Sequence, residues 1–368
     1  MVDLITDADG FAGMAPQWNE LLHASVADCP FLTAEWLGAW WRCLSGARTL
    51  QLFTVHQGGR LIAIAPFMLA RGPFGMFSRL EFLGTGCAGS DYLDVIVRSG
   101  YERDGLQAIG AAMRSHNRTL RLTHATYTSL ASQLAGQLVN DGWTAKIAQA
   151  GVCPFVTLAG HTWDSYLASL GTAHRANFRR RLRTLAQRFD LCFEIVASEP
   201  ERRDALATLV RFHEQRFGPR GSTAFLNPAV RLFQADATRR ALANGWLRMY
   251  VLRLDGVPAA VMYGFAYNGR FYFYQHGFDR QHERSSVGLV LMGLTIKAAL
   301  EEGAREFDML WGTEPYKSLW ARNRRLLAQF QVFPPHVAGV VHRRTVDAER
   351  TVRTFARRIL TIGAARAT

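Results

Sequence analysis

Lysine is nearly missing from this 368-residue chain: Lys146, Lys297 and Lys317 stand against forty arginines. A guanidinium suits planar, two-point contacts and an ammonium is a compact point charge, so Lys317, next to Tyr316, either marks a place where an ammonium is wanted or is there by chance. Cysteine is scarce as well. Cys29, Cys43, Cys87, Cys153 and Cys192 are odd in number, far apart and never spaced C-x-x-C. That pattern excludes a disulfide framework and a structural zinc site, and it fits a reducing compartment. No apolar run is long enough to cross a bilayer, and the opening MVDLITDADG has acids where a secretory leader carries bases. The expected location is cytoplasmic.

Hydrophobic residues at 49% and charged residues at 20% are the composition of an ordinary folded domain. The length exceeds what one core supports, so two domains or a duplicated one are expected. The net charge of +13 and a pI near 10.1 suit nucleic acid, an anionic membrane, a polyphosphate ligand or a diffuse basic surface.

Along the first half, Trp36, Trp40 and Leu44 fall four apart in a helix from Glu35 to Leu44, as core packing requires. Gln51 to Val55 and Arg60 to Met68 read as a hairpin turned at Gln57, Gly58 and Gly59. A strand from Arg79 to Leu83 enters GTGCAGSDYLDVIV, a Gly-rich loop with Asp91 and Asp94 followed by an apolar strand. Helices are expected over Gly105–Ser115 and Gln133–Asn140, and a domain boundary near Gly151 to Pro154. Beyond it Thr162 caps one helix and Thr172 a second. In the second, Phe178, Leu182, Leu185 and Phe189 form an apolar stripe, and Arg175, Arg179 and Arg183 form a basic ridge fit for phosphates, RNA, an anionic lipid surface or plain solvation. No aromatics interleave with these arginines, which weakens a base-stacking role.

The block from Tyr250 to Trp320 is the densest in information. A helix over Arg202–Phe217 and the loop GPRGSTAFLNP precede it. Leu247–Leu254, Ala259–Tyr267 and Phe271–Phe278 then read as a meander turned at Asp255-Gly256 and Asn268-Gly269. QLFTVHQGGRLIAIAPFML and MYVLRLDGVPAAVMYGFAY share one strand, turn, strand pattern, which implies an internal duplication. A helix opening at Ser285 or Ser286 runs to Glu302 and stops at Gly303; the serine is a plain N-cap, or the first amides seat a pyrophosphate. The run FDMLWGTEPYKSLW gathers Asp308, Glu314, Tyr316 and Lys317. The tail from His342 is arginine-rich, with Val352, Phe355 and Ile359 at helical spacing, so it docks on its own protein or on an anionic membrane surface.

FHEQRFGPRGSTAF, LDGVPAA, YFYQHGFDRQHERSSVG and FDMLWGTEPYKSLW, together with DYLD and HRANFRRRLRTL, resemble the GNAT-fold acyltransferases of the BioF2-like, or cellulose-biosynthesis CelD-like, group. These are related to the FemAB-type aminoacyl transferases. The resemblance spans about residues 15 to 335. It implies an α/β (α+β) fold of tandem GNAT-like lobes with central mixed sheets flanked by helices; with the boundary read above, the lobes are residues 1–155 and 156–335, followed by the basic helical tail at 336–368. Donor and acceptor would meet between strand four, Phe271–Phe278, and strand five, Phe307–Trp311. Ser285, Ser286, Val287 and Gly288 would hold the donor phosphates. The family's loop Q/R-x-x-G-x-G/A is met only at Gly288, since Ser285 and Val290 depart from it, so acyl-CoA or acetyl-CoA competes with aminoacyl-tRNA as donor.

The resemblance further implies direct acyl transfer to an amine or hydroxyl, without a metal. Glu314 or Asp308 would act as general base, Tyr316 would protonate the leaving group, and Lys317 would steady the carbonyl oxygen. His276 and Gln275 on strand four, His213 and Arg216 on the preceding helix, and Asp91 from the first half are candidate substrate contacts. The partner would be a small-molecule, glycan or lipid-linked acceptor in envelope or exopolysaccharide assembly, with tRNA and a peripheral membrane contact as alternatives. A lobe pair that only binds a ligand is the third possibility.

Overall fold

The computed structural model describes residues 1–72, 77–218, 225 and 227–346. The arginine-rich tail beyond residue 346 and most of the GPRGSTAFLNP loop lie outside the described residues.

The first half runs β1 (Val2–Ile5), α1 (Ala8–Gly13), α2 (Ala15–His23), α3 (Ala34–Leu44), β2 (Thr49–Gln57), β3 (Arg60–Ala70), β4 (Arg79–Phe82), β5 (Ile96–Val97), α4 (Glu102–His116), β6 (Thr119–Thr126), α5 (Leu130–Asn140) and β7 (Thr144–Thr157). The second runs α6 (Trp163–Ser169), α7 (Thr172–Arg188), β8 (Leu191–Ile195), α8 (Glu199–Phe217), α9 (Pro228–Ala243), β9 (Leu247–Leu254), β10 (Val257–Tyr267), β11 (Arg270–Phe278), α10 (Val287–Glu301), β12 (Glu306–Asp308), α11 (Pro315–Trp320) and β13 (Asn323–Phe333).

Turn chemistry sets the hairpins. Gly58-Gly59, Asp255-Gly256 and Asn268-Gly269 all hold positive φ at both positions, the geometry that matches the twist of paired strands. Side chains set several helix starts. Thr162 and Ser165 form a reciprocal capping box on α6, and Ser198 and Glu201 form one on α8. Thr172 does not cap α7 as expected; it is the first helical residue, behind Gly171.

All the described strands join one mixed sheet, in the order β1-β2-β3-β4-β6-β13-β7-β12-β11-β10-β9-β8, with β5 paired on the side to β3. This order is a palindrome. Counted from either end it reads four antiparallel strands, then a parallel partner (β4 with β6, β11 with β12), then one last strand. The last strands are exchanged: β13, late in the chain, pairs with β6, and β7, from the first half, pairs with β12. The two lie against each other along eleven register pairs, Asn323↔Phe155 to Phe333↔Thr144. The boundary expected at residues 155 and 156 therefore falls inside a continuous strand. The repeated order supports the duplication seen in the hairpin sequences.

Two apolar clusters hold the layers together. One runs under α2 to α5 and continues beneath α8 and α9, where Trp36 meets Phe233 edge-on at 4.9 Å. The other fills the space between the second half's strands and α6, α7 and α10. There Phe178 of α7 sits against Gly293 of α10 so closely that a β-carbon on the glycine would fall 2.2 Å from the ring.

Candidate active site

Strands β11 and β12 run side by side for only three pairs, Arg270↔Glu306, Phe271↔Phe307 and Tyr272↔Asp308. After that β11 continues to Phe278, whereas the other chain leaves the sheet at Asp308 and is turned by Leu310 (φ 53°) and Gly312 (φ 133°). A gap opens between them at their C-terminal ends. Strand five is thus shorter than the expected Phe307–Trp311. Around the gap stand the end of α8 with His213 and Arg216, the end of β11 with Gln275 and His276, the start of α10, and α11 with Tyr316 and Lys317.

The turn after β12 is held from both halves. Asp91, fully buried, accepts from the Trp311 amide at 2.7 Å, and its other oxygen lies 3.3 Å from His124 Nδ1 without good hydrogen-bond geometry. Asp91 therefore works beneath the turn and does not line an open cleft. Lys317 is buried too. Its Nζ donates to the Trp311 carbonyl at 2.8 Å and the Leu310 carbonyl at 3.4 Å, and it pairs with Glu314 at 3.1 Å. Gly312 leaves room for this: a β-carbon there would lie 2.3 Å from Glu314 Oε2. Glu314 is half exposed, so its carboxylate reaches solvent.

Asp308 is completely buried and accepts from Tyr92 Oη (2.6 Å), Arg325 (2.9 Å) and the Leu310 amide (2.8 Å). Desolvation pushes its carboxyl up to about 6, against the pull of these donors. Arg325 also grips Glu306 through both oxygens.

His213 Nε2 meets the His276 carbonyl oxygen at 2.9 Å, so it must donate there and its basic nitrogen is Nδ1. Burial brings His213 down to about 4; burial and the nearby Arg216 bring His276 down to about 3. Both are neutral at pH 7. Tyr316 lies 5.5 Å from the His276 ring, and burial holds its phenol well above the usual range. Gln275 is half-buried and pairs in register with Tyr263. The structure thus gathers His213, Arg216, Gln275, His276, Glu314, Tyr316 and Lys317 at one gap, with Asp308 and Asp91 beneath it.

The start of α10 departs from expectation. Ser285 ends a short 3-10 turn, Arg280–Ser285; Ser286 is the N-cap but holds a left-handed conformation (φ 60°) and makes no side-chain cap bond. Gly288 turns its bare α-carbon to Phe278, where a β-carbon would meet the ring at 3.2 Å, so the glycine serves helix-to-strand packing. Val287 is fully buried. The helix ladder takes up the Leu289 and Val290 amides through Ser286 O, and the earlier amides have no partner within the helix. Beside this end runs α7, which carries six arginines and no acid. None of the six forms an ion pair among the described residues, and Arg181 donates to the Arg284 carbonyl at the mouth of α10.

Tyr92, His124, Trp311 and Arg325 escaped sequence reasoning. Tyr92 and His124 hold positive φ, at 59° and 65°, beside Leu310, and backbone of that kind gathers at working sites. Tyr92 lay in plain view between Asp91 and Asp94; nothing local distinguishes Arg325 from its neighbours. Trp311 is 55% exposed yet fixed: it lies on Gly151, where a β-carbon would come within 2.0 Å of the indole, and donates to Ala150 O at 3.3 Å. Among the described residues no cluster of three His, Cys, Asp or Glu gathers as a metal site, and no helix is long and apolar enough to cross a membrane.

The parted parallel strands, the helix that follows the first of them and the mixed sheet flanked by helices define a GNAT-like fold. Residues 172–318 match the family described as Acetyltransferase (GNAT) domain. The whole fold is similar to that of FemX (TM-score 0.62, 11% identity, covering 89% of this chain and 96% of that one). It is also similar to L-PGS from Bacillus licheniformis (0.56, 12%, 89% and 94%). A third likeness is to the C-terminal domain of a putative lysylphosphatidylglycerol synthetase from Agrobacterium fabrum (0.53, 14%, 87% and 92%). Comparison with curated protein sequences gives no match.

Proposed function

We propose that this protein is an acyltransferase that moves an acyl group from acyl-CoA to an amine or hydroxyl of a small-molecule, glycan or lipid-linked acceptor. One observation carries the reading: the gap between β11 and β12 opens beside the start of α10, with the acid-free arginine helix α7 alongside. An extended donor arm fits a gap between parting strands, where β11 has no strand partner on that side beyond Tyr272. Its phosphates suit the amides of α10 and the guanidinium groups next to them.

The acceptor nitrogen or oxygen attacks the thioester carbonyl, the C–S bond breaks, and the thiolate departs. Glu314, whose carboxylate reaches solvent, takes the acceptor's proton. Tyr316, kept protonated by burial, supplies a proton to the thiolate. Lys317, with its ammonium already bonded to two backbone carbonyls, is assigned as a positioning residue that fixes the turn carrying Glu314. Neutral His213 and His276, with Arg216 and Gln275, form the wall facing the acceptor. The envelope role and the BioF2-like or CelD-like subgroup rest on the motif resemblance, and a cytoplasmic location rests on the scattered cysteines with no C-x-x-C pair.

A second reading, transfer from aminoacyl-tRNA, is favoured by the left-handed Ser286 and the packed Gly288, which make an imperfect pyrophosphate cradle. A thermal-shift panel of acetyl-CoA, longer acyl-CoAs and free CoA decides between them. Stabilisation by any of these, with thiol release when an acceptor is added, supports the first reading. No shift with any CoA species, together with salt-dependent RNA binding, replaces it with the second. Stabilisation without turnover leaves a ligand-binding protein.

A further inference from the structure

The palindromic sheet has two ends at which parallel strands part, and the proposed function uses one. The other belongs to the first half, where β6 outlasts its pairing with β4. At the C-terminal end of β6 lies a cavity of about 630 Å³, walled by Thr126 to Ser129 and Asp94 on one side and by Arg270, Tyr272, Arg324 and Arg325 on the other. Its size is that of a pocket for a drug-sized ligand.

The carboxylates in the walls are taken up, and a cation beside them is not. Asp28 is taken up by Tyr267 Oη at 2.7 Å and Asn268 at 3.3 Å, with His23 at 3.3 Å. Asp94 accepts from the Val95, Leu130 and Ala131 amides. Arg325 is committed to Glu306 and Asp308. Arg324, in contrast, is exposed and makes neither an ion pair nor a side-chain hydrogen bond among the described residues. Arg270 stands 3.7 Å from Glu306, beside the buried Tyr272 hydroxyl, which completes no hydrogen bond of good geometry. Thr128 is exposed. The acids are taken up, Arg270 has only a loose ion pair, and Arg324 has no side-chain partner among the described residues, so an occupant that brings acceptors and negative charge fits the walls.

We propose that this cavity is a second ligand site, separate from the gap at β11 and β12, and that it binds a small molecule through a carboxylate or phosphate held by Arg324, Arg270 and Thr128. Calorimetric titration of the full chain at low ionic strength with sodium succinate and with sodium pyrophosphate tests it. Arg324→Gln and Thr128→Val are compared with wild type, and Arg181→Gln, at the mouth of α10, serves as the control for phosphate binding at the other site. Binding of either probe that weakens about tenfold or more in Arg324→Gln, weakens in Thr128→Val and persists in Arg181→Gln supports the site, and the probe that binds identifies the anion. If neither probe binds wild type at millimolar concentration, or if Arg324→Gln with an unchanged circular dichroism spectrum binds as wild type does, the proposal fails. The outcome is independent of whether acyl-CoA is the donor.

Discussion

Replacing Lys317 by methionine separates a clamp from a chemical group. Methionine keeps most of the buried stem and removes the ammonium. The 2.8 Å bond to the Trp311 carbonyl is a full charge-assisted bond and the 3.4 Å bond to Leu310 a marginal one. A bond to a charged group contributes about 1.5–3 kcal/mol net. The half-exposed Glu314 partner adds at most about 1 kcal/mol. Release from desolvating the ammonium offsets part of this, so the variant should lose about 2–3 kcal/mol of stability. Urea unfolding followed by tryptophan fluorescence and far-UV circular dichroism reads the change as a lower midpoint with an unchanged slope. A loss below about 0.5 kcal/mol, with activity abolished, would refute the clamp and put the ammonium in the chemistry.

Gly151→Val should drive the Trp311 indole off β7, seen as a red shift in emission and greater acrylamide quenching, while unfolding stays cooperative; an unchanged spectrum would contradict the seating described. Gly293→Leu should destabilise by roughly 1–3 kcal/mol or more through collision with Phe178, and Phe178→Ala in the same chain should restore part of it. His276 is held down to about 3 while an unfolded histidine titrates near 6.5. Between those values the unfolded state binds more protons, so stability is full above pH 6.5 and falls as pH drops, by up to about 1.4 kcal/mol per pH unit. His276→Phe should flatten that slope relative to wild type; parallel pH curves for the two proteins would show that the imidazole titrates normally.

The fold was legible where local chemistry acts alone. Paired residues with positive φ wrote all three hairpins into the sequence, and Thr162 marked its helix; Ser198 went unread, and the helix it caps begins at Glu199, ahead of the expected Arg202. The exchange of β7 and β13 was not legible, because which strand sits beside β6 is decided by sheet edges far apart in the chain. That is also why a boundary placed on Gly151 to Pro154 met a strand: the glycine is there to admit the Trp311 indole, not to bend the chain out of the fold. At the candidate site, FDMLWGTEPYKSLW announced its density of polar groups but not their exposure. Asp308, Glu314 and Lys317 look alike as letters; burial makes the first a structural anchor, the second pairs with Lys317 yet reaches solvent, and two carbonyls occupy the third. Tyr92 and Arg325 join Asp308 from distant segments, with no spacing to betray them.

The exchanged strands also constrain how the chain is made. While the first half emerges from synthesis, β6 has its outer edge open, since its partner β13 is encoded about two hundred residues later. An uncovered edge invites pairing with any other strand nearby. Expressed alone, residues 1–155 should therefore self-associate, and chaperone demand should end only once the last strand has been threaded between β6 and β7. Two copies of an ancestral unit could have fused with each half keeping its own final strand; having traded them, neither half can leave.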